Sequence, residues 1–446
     1  MHPEAVVLDG YAHETYLPCD LSEIVSHVRR KSITAKPGEK VGLKSDIHAI
    51  PFNRGYMLYT KNLVLFTNNL KPIFLLDGTY SLHDLCVTSE MKSCLEQLHF
   101  YNLLSFGSNN GQLKLINIDQ KYTKKYQDGD FVTFSLVPIT VELDITNSCN
   151  FACIHCFRDS KTIDGKRVLS DRELSTKELL AVIDDCARIG VPKLLLMGGE
   201  PLLHPDYFYL LKHAKERGIR DVESSTNGWF INEETAPKIA KYSDNIQISI
   251  HGASASTHDS IVGKKGSWEH DKKAIKILKE NNIKVIVSVT VLRENVKDIL
   301  KMPALVKEWG ADSIRFIALT SMGRGCLLKN FSYEEIDQIG KEIKELYETM
   351  TTPHFTILAG GFPPLYPKKN DATVYGCAAG TALLHITSNG DVNACGSIEG
   401  KYIGNIRESN ILDLWHSPKL IEMRHPMNCD CNYRFICSGP CKADLG

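Results

Sequence analysis

The stretch "CNFACIHC", residues 149–156, places Cys149, Cys153 and Cys156 within eight positions. Three thiols this close point to a soft-metal site, and the candidates separate by ligand number. Structural zinc takes four ligands, usually as two separated Cys-x2-Cys pairs, and His155 is too near Cys156 in sequence to share one ion well. A thioredoxin-type pair needs only Cys-x2-Cys and leaves Cys149 without a role. A [4Fe–4S] cube fits best, because three thiolates hold three irons and the fourth stays open to a small molecule.

Outward from this loop the chain reads as alternating strands and helices. "ITVELDI" (139–145) alternates like a strand and runs straight into the cysteines. "STKELLAVIDDCARIG" reads as a helix with a Ser175/Glu178 capping box and a stop at Gly190. Strand "KLLLM" meets "GGEP", helix 206–217 ends at Gly218, and strand "DVESS" meets "TNG". Strand "NIQISI", helix 267–281, strand "KVIVSVTVL", helix 295–309 and strand "DSIRFI" follow. Six such strands over 139–325 predict an α/β fold, a partial (β/α)6 TIM-like barrel. Chemistry in these barrels gathers at the C-terminal ends of the strands. The cysteine loop, "GGEP" and "TNG" all lie there and should converge.

Around the barrel, 1–45 is an unassigned extension and 46–105 reads as three short strands ("HAIPF", "YMLYT", "LVLFT") followed by two helices, a winged-helix-like α+β module. Cys86 and Cys94, on those helical faces, read as core thiols. Residues 106–138 form a linker, and 326–370 a linker helix capped by Ser332. Residues 371–446 open on a hairpin with Asn389-Gly390 as a type I′ turn. The rest is loop-rich and cysteine-dense, with little core of its own, and needs a metal or cluster to hold it.

Composition narrows the class. With 446 residues, 43% of them hydrophobic and 24% charged, the chain has globular values and room for two or three domains. A net charge of −1 argues against a nucleic-acid footprint. No apolar run approaches roughly 18 residues and no signal peptide opens the chain, so a soluble, cytoplasmic protein with no membrane partner is expected. Nine of the 14 cysteines fall in two groups, 149–156 and 377–441, which favours metal chemistry over disulfides.

"CNFACIHC" resembles the Cys-x3-Cys-x2-Cys signature of radical S-adenosylmethionine (SAM) enzymes. That resemblance implies a [4Fe–4S] cluster on Cys149, Cys153 and Cys156 whose open iron binds SAM, so that one-electron cleavage can abstract a substrate hydrogen atom. It further implies SAM contacts at Gly198, Gly199, Glu200 and Pro201, at Ser225 and Asn227, at Ser249 and at Asn295, with "GRG" (323–325) leaving the sixth strand. Glycines at 198 and 199 would let backbone carbonyls approach the ligand. No catalytic side chain is assigned.

Cys377, Cys395, Cys429, Cys431, Cys437 and Cys441, with "IGNIRESNILDLWHSP" between the halves, are similar to the SPASM extension and its auxiliary [4Fe–4S] clusters. By analogy Cys377, Cys395 and Cys441 would serve one cluster and Cys429, Cys431 and Cys437 another. The pattern departs from the family: Cys-x2-Cys is Cys-x1-Cys here, and no seventh cysteine follows Cys441, so each cluster is one thiolate short. Structural zinc is the alternative, and Cys326 a candidate for a missing ligand. Residues 46–105 resemble the recognition module that holds precursor leader peptides.

Together these imply an enzyme that modifies a ribosomally made precursor peptide by a thioether or carbon–carbon crosslink. Its leader would lie on 46–105, and an external one-electron donor such as a flavodoxin or ferredoxin would feed the cluster. Sulfatase-maturase-like protein oxidation and a non-catalytic iron–sulfur electron carrier are the rival expectations.

Overall fold

The computed structural model describes residues 135–160, 172–362, 378–398 and 402–424 in full, and elsewhere only the backbone of a few short strands. Eight parallel strands form the frame. These are β1 (Thr140–Thr146), β2 (Lys193–Gly198), β3 (Asp221–Thr226), β4 (Asn245–Ser249), β5 (Lys284–Val291), β6 (Ser313–Ala318), β7 (Thr356–Gly360) and β8 (Leu383–Ile386). Their order across the sheet is β7-β6-β5-β4-β3-β2-β1-β8. Two antiparallel strands, β9 (Asp391–Asn393) and β10 (Gly404–Asn405), extend it beyond β8.

β1 shows why the sheet curls. All seven of its residues are buried, with Val141, Leu143 and Ile145 in the hydrophobic core. The alternation sends Thr140, Glu142, Asp144 and Thr146 to the opposite, polar side, the lumen of the barrel. Helices cover the apolar side. α1 (Thr176–Arg188) carries the expected capping box, with both Ser175–Glu178 bonds formed. α2 (Tyr207–Glu216), α3 (Thr235–Ala240), α4 (Ala255–Val262) and α5 (Ser267–Glu280) follow.

The expected α/β barrel stands, with local differences. The single helix expected over 295–309 is a 3-10 turn, Val296–Asp298, and a separate α6 (Met302–Glu308) with Pro303 in its first turn. A proline is tolerated there because that N–H has no partner inside the helix. α4, not foreseen, is capped by Ser254 and stopped by Gly263 at φ +68°. The stretch expected as a linker helix is α7 (Tyr333–Met350), again with a capping box, and it leads into β7, which pairs with β6.

The tail hairpin forms, but not with the expected type I′ turn. Thr387 N–H donates to Asp391 O and Gly390 N–H to Thr387 O, which closes a three-residue loop with Gly390 at φ +85°. Asn389 keeps a negative φ, so one left-handed residue suffices. The described part of the tail is also not held by metal alone. Leu383, Leu384, Val392, Trp415 and Leu420 belong to the same hydrophobic core as the barrel. In α8 (Ile411–Trp415) the Trp415 indole donates to Ser135 O at 2.9 Å, fastening the segment just before β1.

In the N-terminal region the three expected strands are present as Ile47–Phe52, Gly55–Tyr59 and Val64–Thr67, an antiparallel meander. Leu113–Leu115 adds in parallel to the first of them, and Lys40–Leu43 pairs between Asp77–Ser81 and Leu104–Phe106. The strand set therefore spans 40–115. The helices expected at 81–87 and 89–104 fall almost wholly outside the described residues. Leu17 and Pro18 pair with Val374 and Thr373, just ahead of Cys377.

Because β8 is buried on the barrel's own edge strand, Leu384→Ala should destabilise the whole protein by about 2–5 kcal/mol. A denaturant midpoint that drops for the barrel and tail together would confirm the shared core, and a loss confined to the tail would contradict it.

Candidate cluster and cofactor site

The cysteine loop leaves the C-terminal end of β1 and is tied down on three sides. On the first, Asn147 N–H donates to Glu173 at 2.6 Å. On the second, Ala152 N–H donates to Val262 O at 3.1 Å and Ile154 N–H to Ile261 O at 2.9 Å, so the end of α4 acts as a splint. On the third, Arg324 donates from Nε to Cys153 O at 2.8 Å and from its backbone N–H to Cys156 O at 2.9 Å. "GRG" thus clamps the loop's carbonyls. Gly323, at φ +51°, has no room for a side chain, since a Cβ would lie 2.5 Å from Cys156 O.

"GGEP" reaches the same loop from β2, for a reason other than the one expected. A Cβ on Gly198 would lie 2.1 Å from Thr146 O, and one on Gly199 2.2 Å from Ser148 O. The glycines allow close approach to the chain's own β1 loop, and Gly199 and Glu200 then donate backbone bonds to Thr146 O and Ser148 O. The Glu200 carboxylate is fully buried and accepts from Thr226 Oγ1 at 2.8 Å, Asn227 N at 2.8 Å and Leu202 N at 3.0 Å. Burial pushes its carboxyl up to about 7, against those bonds. It braces the end of β2 to the end of β3. Pro201 begins the short 3-10 turn that follows.

Asn227 carries the brace onward, its amide donating to Asn150 Oδ1 at 2.8 Å and lying 3.8 Å from Cys149 Sγ. Ser225 accepts from Gln247 at 2.9 Å, and Ser249 ends β4 opposite Ser288. Asn295 is placed differently from expectation. It is 1% exposed, and both amide hydrogens go to backbone oxygens, of His251 at 2.9 Å and Thr290 at 2.8 Å. No N–H is left for a ligand; the residue clamps the β5 loop. Of the tail cysteines only Cys395 is described, buried two residues after β9. Cys377, Cys429, Cys431, Cys437 and Cys441 lie outside the described residues. Cys326 is exposed, its thiol donating to Gly323 O at 2.9 Å.

Cys149, Cys153 and Cys156 form no disulfide. Burial pushes the Cys149 thiol up to about 12 and raises Cys153 too, with neighbouring thiols adding to the penalty at Cys153. Three thiolates gathered here need a compensating cation, and cluster iron supplies one. The residues therefore fit the cluster.

Sequence reading did not single out Asp144, Arg158 and His385. Asp144 Oδ2 accepts from Arg158 Nε at 2.7 Å and lies 3.1 Å from His385 Nε2. Burial works against this carboxylate, but Arg158 and His385 outweigh it and hold it at about 2. Only the alternation of "VELDI" hinted at an inward acid.

A parallel barrel with a three-cysteine loop at its mouth and a cysteine-rich tail is the arrangement expected of an iron–sulfur enzyme. The model of the Radical SAM superfamily matches residues 143–306, and that of the SPASM iron–sulfur cluster-binding domain matches 377–442. The AdoMet-dependent heme synthase of Methanosarcina barkeri is 30% identical over 333 residues, 70% of this chain and 93% of its own. Mycofactocin maturase MftC of Mycolicibacterium smegmatis is 32% identical over 321 residues, 69% and 78%. The chain belongs to the radical SAM superfamily, and its cofactors are SAM and [4Fe–4S] clusters. Among solved structures, SuiB of Streptococcus suis bound to SAM shares the fold at a TM-score of 0.66 and 17% identity, covering 91% of this chain and 96% of that one. anSMEcpe with bound AdoMet does so at 0.53 and 17%, covering 68% and 90%. No helix among the described residues is long and apolar enough to cross a membrane.

Replacing Cys149, Cys153 and Cys156 together with Ala should remove about four iron atoms per chain and abolish SAM cleavage. Continued formation of 5′-deoxyadenosine by that variant would exclude the loop as the SAM-cluster site. Glu200→Gln should destabilise the protein by about 1–3 kcal/mol, because an NH2 group would replace one of two acceptor oxygens. An unchanged melting temperature would show that the brace is dispensable.

Proposed function

We propose that this enzyme is a peptide maturase that installs an intramolecular crosslink, a Cys thioether or a carbon–carbon bond, in a ribosomally synthesised precursor. SAM and its cluster supply the one-electron chemistry: reductive cleavage of the sulfonium and removal of a hydrogen atom from the substrate. The chain's own residues do the rest. Arg324, Glu173 and the end of α4 hold the cysteine loop rigid, while Glu200 and Asn227 fix the neighbouring strand ends. An external electron carrier such as a flavodoxin or ferredoxin would provide the electron, and an auxiliary cluster, if the tail cysteines hold one, would offer a place for the electron left after coupling.

The observation that carries the peptide reading is the extent of the fold likeness. Residues 139–446 are about 69% of the chain, and the likeness to anSMEcpe covers 68%. SuiB, solved also with its precursor peptide SuiA, matches over 91%, a larger share than residues 139–446 supply. In this reading the sheet containing Val64–Thr67 as an outer strand takes up the leader by adding a strand. A tetrapyrrole substrate is the second reading, favoured by the heme synthase relative matched over 93% of its length.

Anaerobic reaction of the reduced enzyme with a precursor peptide encoded beside it should give a product lighter by two hydrogen atoms. A porphyrin converted in its place would overturn the peptide reading. Removing residues 40–115, which contain both N-terminal sheets, should weaken peptide binding at least tenfold and leave peptide-independent SAM cleavage in place. Equal affinity in the shortened protein would assign those strands a purely structural part.

A further inference from the structure

Three buried polar side chains near the cysteine loop, His251, His258 and Asp271, have no part in the site described so far. His258 and Asp271 are both 0% exposed, the first on α4 and the second on α5. His251 N–H donates to His258 Nδ1 at 2.9 Å, so a neutral His258 ring carries its proton on Nε2. That Nε2 lies 3.1 Å from Asp271 Oδ2, and no other polar group among the described residues reaches either atom. Asp271 Oδ1 has no hydrogen-bond partner and packs on Gly228, where a Cβ would fall 2.4 Å from it. One buried pair thus joins α4, α5 and the loops that leave β3 and β4.

Two routes lead from this pair to the cysteine loop. The first is the backbone of α4. His258 precedes Ile261 and Val262, whose carbonyls accept from Ile154 at 2.9 Å and from Ala152 at 3.1 Å. The second is His251, which is held at three atoms. His258 accepts from its N–H, Asn295 donates to its carbonyl at 2.9 Å, and Thr290 N–H donates to its Nδ1 at 3.1 Å. The ring so fixed meets His155 edge-on, with centroids 4.3 Å apart and planes at 68°. His155 lies between Cys153 and Cys156 in the loop.

We propose that Asp271 and His258 are positioning residues for the SAM cluster. Together they hold α4 and His251 where those two set the shape of the cysteine loop, and with it the cluster that receives SAM. The inference is independent of which substrate the enzyme takes. Packed hydrocarbon at a buried polar pair is often no worse for stability, so the pair's effect on the cofactor site can be read apart from folding.

The test uses the full chain with its clusters in place, handled without oxygen. It measures iron content, SAM affinity by equilibrium dialysis, and the change that SAM makes in the EPR spectrum of the reduced protein. His258→Leu with Asp271→Leu should keep the iron, weaken SAM binding by about tenfold or more, and alter that spectral change. Asp271→Asn, which keeps an oxygen facing His258 Nε2, should bind SAM within about twofold of the unaltered enzyme. Where the leucine pair does not fold, His251→Ala reads the second route alone and should shift affinity and spectrum in the same direction. A folded leucine pair, or a folded His251→Ala protein, with unchanged SAM affinity and spectrum would overturn the proposal. An Asp271→Asn protein no better than the leucine pair would do the same. No peptide is added, so failure of the peptide reading leaves this result untouched.

Discussion

The approach of Gly198 and Gly199 to the end of β1 is the contact on which the site depends. Cβ atoms at these positions would fall 2.1 and 2.2 Å from Thr146 O and Ser148 O, well inside any real contact. Only with two glycines can β2 run past its register shift at Met197 and still donate backbone bonds to the β1 loop. From that junction Glu200 reaches to β3, Asn227 to Asn150, and the cysteine loop inherits its shape. The glycines serve the protein's own backbone first, and any ligand comes to a cradle already built.

The lumen is held by polar contacts where most cores use apolar ones. Near its floor Lys193 pairs with Glu223 at 2.7 Å, and Asn245 donates to the same carboxylate at 2.7 Å. Removing one partner of such a buried pair would leave the other charge uncompensated, so the three side chains constrain how β2, β3 and β4 meet. Near the mouth Asp144 performs the same service between Arg158 and His385.

Much of this was legible in the sequence because it depends on local patterns. The strand run, the Ser175–Glu178 capping box, the Ser332 cap and the convergence of "GGEP" and "TNG" on the cysteine loop all follow from periodicity and end signals. What was not legible depends on contacts distant in sequence. Nothing local in "TILAG" says that β7 will extend the sheet, and nothing in "LLHI" says that β8 will pair with β1. Asn295 is a SAM-contact candidate by the family resemblance, and its amide hydrogens go to two carbonyls, one of them 44 positions away, which no local pattern announces. The Asn389-Gly390 signal located the turn correctly but not its length, because a single αL glycine closes a three-residue loop as well.

The pairing of β8 with β1 changes what the tail metal has to do. A cysteine-dense, loop-rich segment alone would need its clusters in order to fold. Here Leu383, Leu384, Ile386, Val392 and Trp415 are buried in the barrel's own core, so the described part of the tail draws hydrophobic stabilisation from the barrel that owes nothing to metal. Arg407 adds a bond to Glu178 of α1 at 2.6 Å. The barrel therefore fixes the position of Cys395 through its own packing. The separation between the cysteine loop and the tail hairpin is set by one strand, β1, that carries the first and pairs with the second.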